Sequence, residues 1–119
     1  MTAVGCTIAD YVELAEQLDD VSAVEHEQWI TYRVAGRTYG YLWPRTSTLG
    51  LRQTIAEQEA LVAERPGVFE KQFTSAGFGW VVVHLAGVER DELAELVFEA
   101  WRLTAPADVV EGRGERLPV

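Results

Sequence analysis

The sequence lacks the features of membrane-spanning and disulfide-rich proteins. Cys6 is the only cysteine, so an intramolecular disulfide is impossible. No apolar run approaches the roughly 20 residues that a membrane helix needs. The segment from Met1 to Asp10 has neither a basic start nor a long apolar stretch, so we expect no signal peptide. These absences predict a cytoplasmic protein that does not bind membranes.

Sequence motifs for catalysis and cofactor binding are absent too. There is no G-x-x-x-x-G-K and no dinucleotide fingerprint. Cys6 precedes the predicted elements, and His26 and His84 lie on separate predicted strands, so no spacing indicates a Cys-His pair. The triplet at residues 25–27 (EHE) offers metal-ligand types, but adjacent strand residues point apart. We therefore predict a protein that is not an enzyme and binds neither metal nor cofactor.

Positive charge is scarce and unevenly placed. The net charge is −9, yet residues 28–56 hold four arginines and no acid, whereas residues 1–27 hold seven acids and no base. A strongly acidic chain is repelled by nucleic-acid phosphates at long range. A local basic segment can still bind an anion, since charges are screened beyond about 8–10 Å at physiological salt. Nucleic acid is thus a possible partner that the net charge disfavours.

What is present predicts a two-layer α+β domain. Helical periodicity and N-cap residues indicate helices at Thr7–Leu18, Ile55–Glu64 and Glu89–Thr104. Helices at this spacing pack on one face of one antiparallel sheet, in the order α-β(3)-α-β(2)-α, with a further short edge strand at 21–27. The polar, Gly-rich composition of residues 107–119 predicts a disordered tail after a single domain at 1–106. The predicted strands are Val21–Glu27, Ile30–Ala35, Arg37–Trp43, Ser47–Arg52, Val68–Phe73 and Phe78–Ala86.

The predicted hairpin at residues 30–43 carries both aromatic and basic side chains. A two-residue turn at Gly36-Arg37 would pair Tyr32 with Tyr41 and Ile30 with Trp43 and place the aromatics on one face. Arginines on that face could contact phosphate while the aromatics stack on bases. Strand alternation instead favours aromatics in the core and a solvated basic face. The candidate nucleic-acid or anion contacts are Arg33, Arg37, Arg45 and Arg52.

A second candidate surface lies on the predicted strand at 78–86. Trp80, Val82 and His84 share one face of that strand, and Val81 and Val83 share the other. If helices cover the valine face, the Trp80 face stays partly open. An open apolar face usually marks an interface. The alternatives are a small-molecule pocket and a curled core that buries the same residues.

Three segments of the chain resemble the YjbR/MmcQ-like family. Residues 32–37 (YRVAGR) followed by 41–43 (YLW) resemble that family's "F-R-V-x-G-K … A-x-L-W" hairpin. Residues 79–85 (GWVVVHL) resemble its "G-W-x-W-V-x-V-x-L" strand. Residues 91–96 (DELAEL) through 100–106 (AWRLTAP) resemble its final helix. The resemblance covers about residues 8–107.

This resemblance implies a fold similar to type III secretion chaperones and a DNA-binding role of the "double wing" kind. The residues themselves favour a non-catalytic binding module that acts by protein–protein interaction, including self-association, through the Trp80 face. DNA binding through the arginine-bearing hairpin is the alternative. A small-molecule binder is the second alternative.

Overall fold

The computed structural model describes residues 5–119, so residues 1–4 of the predicted domain lie outside it. The chain forms one six-stranded antiparallel sheet with helices packed against it, which confirms the predicted α+β class. A short 3₁₀ turn at Leu85–Gly87 follows the sixth strand. In chain order the elements are α1 (Ile8–Glu16), β1 (Val21–Glu25), β2 (Ile30–Val34), β3 (Arg37–Trp43), β4 (Thr48–Thr54), α2 (Ile55–Glu64), β5 (Phe69–Ser75), β6 (Phe78–His84), α3 (Arg90–Thr104) and α4 (Ala107–Arg113).

The spatial order of the strands is β1-β2-β3-β4-β6-β5, so β6 lies between β4 and β5. On one side, here called the helix face, Gln53 of β4 donates to the Leu96 carbonyl of α3 at 3.1 Å. A Cβ on Gly79 of β6 would lie 2.7 Å from Gln58 of α2. Within residues 5–119 the helices pack on this side, and we call the other side the uncovered face.

The helix starts follow from the local sequence. Thr7 and Asp10 form a capping box, with the Thr7 amide donating to the Asp10 carboxylate at 2.7 Å. Thr54 caps α2 by accepting from the Glu57 amide at 3.1 Å. Short polar side chains at these positions satisfy amides that the first helical turn leaves unpaired.

The core is built where β4 pairs with β6 and meets α3. The β4–β6 register runs from Thr48 opposite His84 to Thr54 opposite Phe78 without a break. Alternation therefore places one set of side chains on the helix face, where the apolar stripe of α3 covers them. The fully buried apolar residues of these three elements include Leu49, Leu51, Val81, Val83, Leu93, Val97 and Trp101.

The β2–β3 hairpin forms as predicted in outline, but the predicted register is wrong. Thr31, not Tyr32, lies opposite Tyr41, and Ile30 lies opposite Leu42. The two-residue turn is Ala35-Gly36, because Val34 pairs with Arg37. Both turn residues have positive φ, 49° and 80°, as the twist of a two-residue hairpin requires.

A bulge in this hairpin separates the aromatics that were predicted to share one face. Tyr32 pairs with Gly40 and Arg33 with Thr38, which leaves Tyr39 as the extra residue. Tyr39 is fully buried with Tyr32 and Tyr11 of α1, and burial raises the pKa of the Tyr39 hydroxyl. Beyond the bulge, Tyr41 points to the uncovered face. The prediction that all hairpin aromatics lie together is therefore wrong.

Residues 107–119 were predicted to be disordered, and this prediction is wrong for the first half of the segment. Residues Ala107–Arg113 form α4, and the Arg113 side chain is buried. Its guanidinium donates to the Gln17 carbonyl at 2.8 Å and lies 3.4 Å from the Asp19 carboxylate. Composition could not predict this arrangement, because the carbonyl that Arg113 binds follows α1, far away in the sequence.

No helix within the described part of the chain is long and apolar enough to cross a membrane.

Adding a methyl group at Gly79 should destabilise the fold. The Cβ of Gly79→Ala would overlap Gln58, which is fully buried, so we expect a loss of about 1–3 kcal/mol in the free energy of unfolding. Urea denaturation would measure it. Gly67→Ala is the control, because its Cβ meets no atom within 4 Å. Equal effects of the two substitutions would contradict the close approach of α2 to β6.

Asparagine should stabilise the β2–β3 turn and the β5–β6 turn. Ala35 in the β2–β3 turn and Ala76 in the β5–β6 turn have positive φ of 49° and 52° and each precedes a glycine. Asparagine tolerates this region better than alanine, so Ala35→Asn and Ala76→Asn should each add about 0.5–1 kcal/mol to stability. Thermal unfolding of the single and double variants would measure the gain. Ala56→Asn, on an exposed turn of α2, should show no gain; a loss of stability at Ala35→Asn would refute the turn geometry.

Candidate functional site

The uncovered face is defined by residues that the strand register places side by side. Directly opposite residues of an antiparallel pair share a face, so each row can be followed from strand to strand. One row crosses the whole sheet, and its members are Val24, Thr31, Tyr41, Gly50, Val82 and Glu70. The neighbouring rows are Trp43, Thr48 and His84 on one side, and Arg52, Trp80 and Phe73 on the other.

Four rings on this face form a continuous series, here called the aromatic row: Trp43, Tyr41, Trp80 and Phe73. The successive ring centroids are 5.9, 5.4 and 5.3 Å apart, and the last pair is stacked. The series crosses four strands. Such spacings are favourable for aromatic contacts, so the rings support one another as one patch.

Gly50 is what allows the row to cross β4. A Cβ at this position would lie 2.5 Å from the Gln72 side-chain oxygen and 3.1 Å from the Trp43 ring. Because Gly50 has no side chain, the side chains of Gln72 and Trp43 can approach the backbone of β4 closely. The close packing of the aromatic row therefore depends on this glycine.

The predicted Trp80, Val82 and His84 do share this face, but their exposure differs from the prediction. Trp80 is only 7% exposed, since Phe73 stacks on one side of it and Tyr41 packs on the other. Val82 is half-buried, and His84 pairs with Glu70. Phe73, at 40%, is the most exposed large apolar side chain of the row.

Sequence reasoning missed Phe73 because a bulge in β5 reverses its direction. Lys71 pairs with Val81 and Phe73 with Trp80, so Gln72 is the extra residue. Simple alternation from the core residue Phe69 would place Phe73 on the helix face. The bulge turns it to the uncovered face, and no local sequence signal marks that change.

Gln58 of α2 holds the bulged segment against β6. Its side-chain amide donates to the Phe73 carbonyl at 3.1 Å and to the Trp80 carbonyl at 2.8 Å. Gln58 is fully buried, so its loss would leave two carbonyls without this donor in the interior. A helix side chain thus fixes the backbone beneath the exposed end of the aromatic row.

The four candidate arginines do not form one cluster. Arg33 and Arg52 lie on the uncovered face by register, together with Tyr41 and Trp80, so the expectation that arginines and aromatics occupy opposite faces holds only for Tyr32 and Tyr39. Arg37 is exposed beside the β2–β3 turn, and Arg45 lies in the β3–β4 loop.

Arg52 is already engaged by its own fold. Its guanidinium carbon lies 3.9 Å from the centre of the Phe78 ring, and Nη1 donates to the Thr104 hydroxyl at 3.3 Å. Burial, followed by the charge of Arg37, lowers the pKa of Arg52. The side chain still remains charged at neutral pH. Arg33 is half-buried and forms no ion pair with a described residue.

The cavities formed by residues 5–119 include two that lie mostly outside the aromatic row, and the first of them shares Trp43 with the row. One, of about 550 Å³, lies between the β1–β2 and β3–β4 loops beside Trp29, Trp43 and Arg45. The other, of about 310 Å³, lies between α2 and α3 and is lined mainly by glutamates. Among residues 5–119, no group of three or more His, Cys, Asp or Glu side chains could hold a metal ion.

The titratable candidates do not assemble a reactive site in the described part of the chain. Cys6 is buried, and burial, followed by the charge of Asp10, raises the pKa of its thiol. A thiol of raised pKa is a poor nucleophile at neutral pH. His26 stacks on Trp29 and its Nε2 lies 3.0 Å from the Thr31 hydroxyl, whereas His84 contacts Glu70.

Known proteins with similar sequences and a similar fold exist. The chain is 40% identical over 52 residues to the uncharacterised proteins Rv2570 of Mycobacterium tuberculosis and Mb2600 of Mycobacterium bovis. That match covers 44% of this chain and 40% of the length of each relative. The crystal structure of Deinococcus radiodurans protein DR2400, a DUF419 domain, superposes with a TM-score of 0.73 at 19% identity, over 86% of this chain and 80% of that one.

At 19% identity, the likeness to DR2400 shows that the two proteins share a fold. The sequence model of the YjbR family matches residues 16–103, from the end of α1 almost to the end of α3. This range contains the whole sheet, both bulges and the aromatic row. The resemblance inferred from the hairpin, the β6 strand and the last long helix is confirmed, and the chain belongs to the YjbR family.

Proposed function

We propose that this protein is a non-catalytic, cytoplasmic binding module that acts by protein–protein interaction through the aromatic row. The observation that carries the proposal is an aromatic patch on a sheet face without helix cover in residues 5–119. An antiparallel sheet that faces water on one side normally carries polar residues there. Contiguous apolar side chains on such a face favour a protein interface.

The distribution of charge favours the uncovered face, rather than the rest of the surface, as the protein interface. The helices carry most of the acidic residues, whereas Glu70 is the acid that the register places on the uncovered face, and it pairs with His84. Interface centres are depleted in charge and enriched in Trp, Tyr, Phe and Arg. The aromatic row together with Arg33 has that composition.

Substitution of Phe73 should reveal the interface. Phe73→Glu places a charge at the exposed end of the row, and Ile55→Glu is a matched control on α2, because both parent side chains are 40% exposed. If the partner is a second copy, light scattering should show a dimer for the parent protein and Ile55→Glu and a monomer for Phe73→Glu. A dimer unaffected by Phe73→Glu would show that self-association uses another surface.

For a different protein partner, a photoreactive amino acid at position 73 should cross-link in cells to discrete products. The same photoreactive amino acid at position 55 should give few cross-linked products. Desolvated aromatic contacts typically dominate interface energies, so Tyr41→Ala should also reduce the cross-linking from position 73. Equal labelling from positions 73 and 55 would contradict an interface on the uncovered face.

Nucleic-acid binding is the second candidate function. It is favoured by one observation: the strand register places Arg33 on the same face as Tyr41 and Trp80, whereas the guanidinium of Arg52 reaches Thr104 of α3. Aromatic platforms flanked by cations bind single strands by stacking and phosphate contact. The net charge of −9 and the engagement of Arg52 by Thr104 favour a protein partner over this alternative.

Fluorescence anisotropy of labelled single- and double-stranded DNA would test this second candidate. Binding should weaken as salt rises, with a slope of about −0.7 per phosphate neutralised on single strands and about −0.9 on B-DNA. Arg33→Gln should reduce both affinity and slope, whereas Arg102→Gln, which removes a surface arginine paired with Glu99, should change neither. An absence of binding at low salt would eliminate nucleic acid as the partner.

A further inference from the structure

The cavity of about 550 Å³ lies at the end of the sheet where two hairpin loops approach each other. The β1–β2 loop forms one side and the β3–β4 loop forms the other. Trp29 and Trp43 provide its aromatic surface, and both line the same space. Its volume is within the usual range of about 300–1,000 Å³ for small-molecule sites.

Contacts within the loops hold the two indoles in place. The His26 amide donates to the Trp29 carbonyl at 2.8 Å, and the His26 and Trp29 rings stack with centroids 4.6 Å apart. The Nε2 of His26 lies 3.0 Å from the Thr31 hydroxyl, which fixes the imidazole. On the other side, Trp43 packs on Tyr41 with centroids 5.9 Å apart. The aromatic surface of the cavity is therefore largely preformed.

Opposite charges line the two sides of the cavity. Glu25 and Glu27 come from the β1–β2 side, and Arg45 comes from the β3–β4 loop. Among the described residues, none of these three side chains forms an ion pair within 4.0 Å. The fold thus presents separated carboxylates and a separated guanidinium around one aromatic cavity without neutralising them internally.

We propose that this cavity binds a small organic zwitterion. Its cationic head, a methylated ammonium or guanidinium group, lies against the indoles near Glu25 and Glu27. Its carboxylate pairs with Arg45. Indole faces attract such cations, and a guanidinium binds a carboxylate through paired hydrogen bonds. This site shares Trp43 with the aromatic row, but its other lining residues lie outside the row.

Titration with three probes would test the proposal: glycine betaine, choline and the uncharged carbon isostere of choline. The readout is the indole N–H signal of each tryptophan in heteronuclear NMR spectra, with calorimetry for affinity. Glycine betaine should shift the signals of Trp29 and Trp43 at millimolar concentration. The signal of Trp101, whose indole is buried and donates to the Asp19 carbonyl at 2.9 Å, should stay in place. Choline should bind less tightly, and the isostere least.

Variants separate the two charged contacts. Glu25→Gln with Glu27→Gln should weaken the binding of glycine betaine and of choline alike by about several-fold, as expected for the loss of exposed charge partners. Arg45→Gln should lower the affinity for glycine betaine to that for choline and leave the affinity for choline unchanged. Glu59→Gln and Arg37→Gln, at exposed positions elsewhere, are the controls. Trp29→Leu should abolish binding, and because Trp29 is partly exposed, the variant should remain folded.

Several results would overturn the proposal. One is that no probe shifts the indole signal of Trp29 or Trp43. Another is that the signal of Trp101 shifts as much as theirs. A third is that choline and its uncharged isostere bind with equal affinity. Unchanged glycine betaine affinity in Arg45→Gln would remove the carboxylate contact and with it the zwitterion. None of these outcomes depends on the partner of the aromatic row, so failure here leaves the proposed interface to its own test.

Discussion

The unbroken pairing of β4 with β6 is the constraint on which the rest of the structure depends. Seven consecutive residue pairs fix which side chains of both strands face the helices. Leu49, Leu51, Val81 and Val83 enter the core, while Gly50 and Trp80 are directed to the other side. A shift of one residue would exchange the two faces and expose the core, so the hydrophobic effect holds this register strongly.

The outer strands depart from that regularity by one bulge each, and each bulge has a consequence for surface chemistry. The bulge at Tyr39 sends one tyrosine into the core beside Tyr32 and leaves Tyr41 on the uncovered face. The bulge at Gln72 directs Phe73 over Trp80. Buried Gln58 satisfies backbone carbonyls at the second bulge. The aromatic row therefore results from two local irregularities that the helix face supports.

Charge is separated across the layers of the molecule. Acidic side chains concentrate on the helices, where Asp91 and Glu92 in the first turn of α3 suit the helix dipole. The uncovered face instead combines the aromatic rings with Arg33, whereas the guanidinium of Arg52 reaches Thr104 of α3. An approaching anionic macromolecule is repelled by the net charge at long range, whereas a partner that buries the rings gains apolar contact at short range. This balance is the physical reason for favouring a protein partner.

The sequence by itself determined the elements and their class. Capping residues, helical stripes and alternating strands are local patterns, so α1, α2, α3 and the hairpins could be predicted from them, and the family followed from the same segments. The candidate residues Trp80, Val82 and His84 were correctly assigned to one face, since the β6 pairing is regular.

Tertiary structure alone decided the register of β2 with β3, the direction of Phe73, the burial of Trp80 and the docking of α4. Each depends on a partner remote in the sequence. A bulge is set by the strand opposite, Trp80 is covered by rings from β3 and β5, and Arg113 binds a carbonyl beyond α1. Local periodicity carries no information about such contacts, because their energy arises only when separate elements pack together.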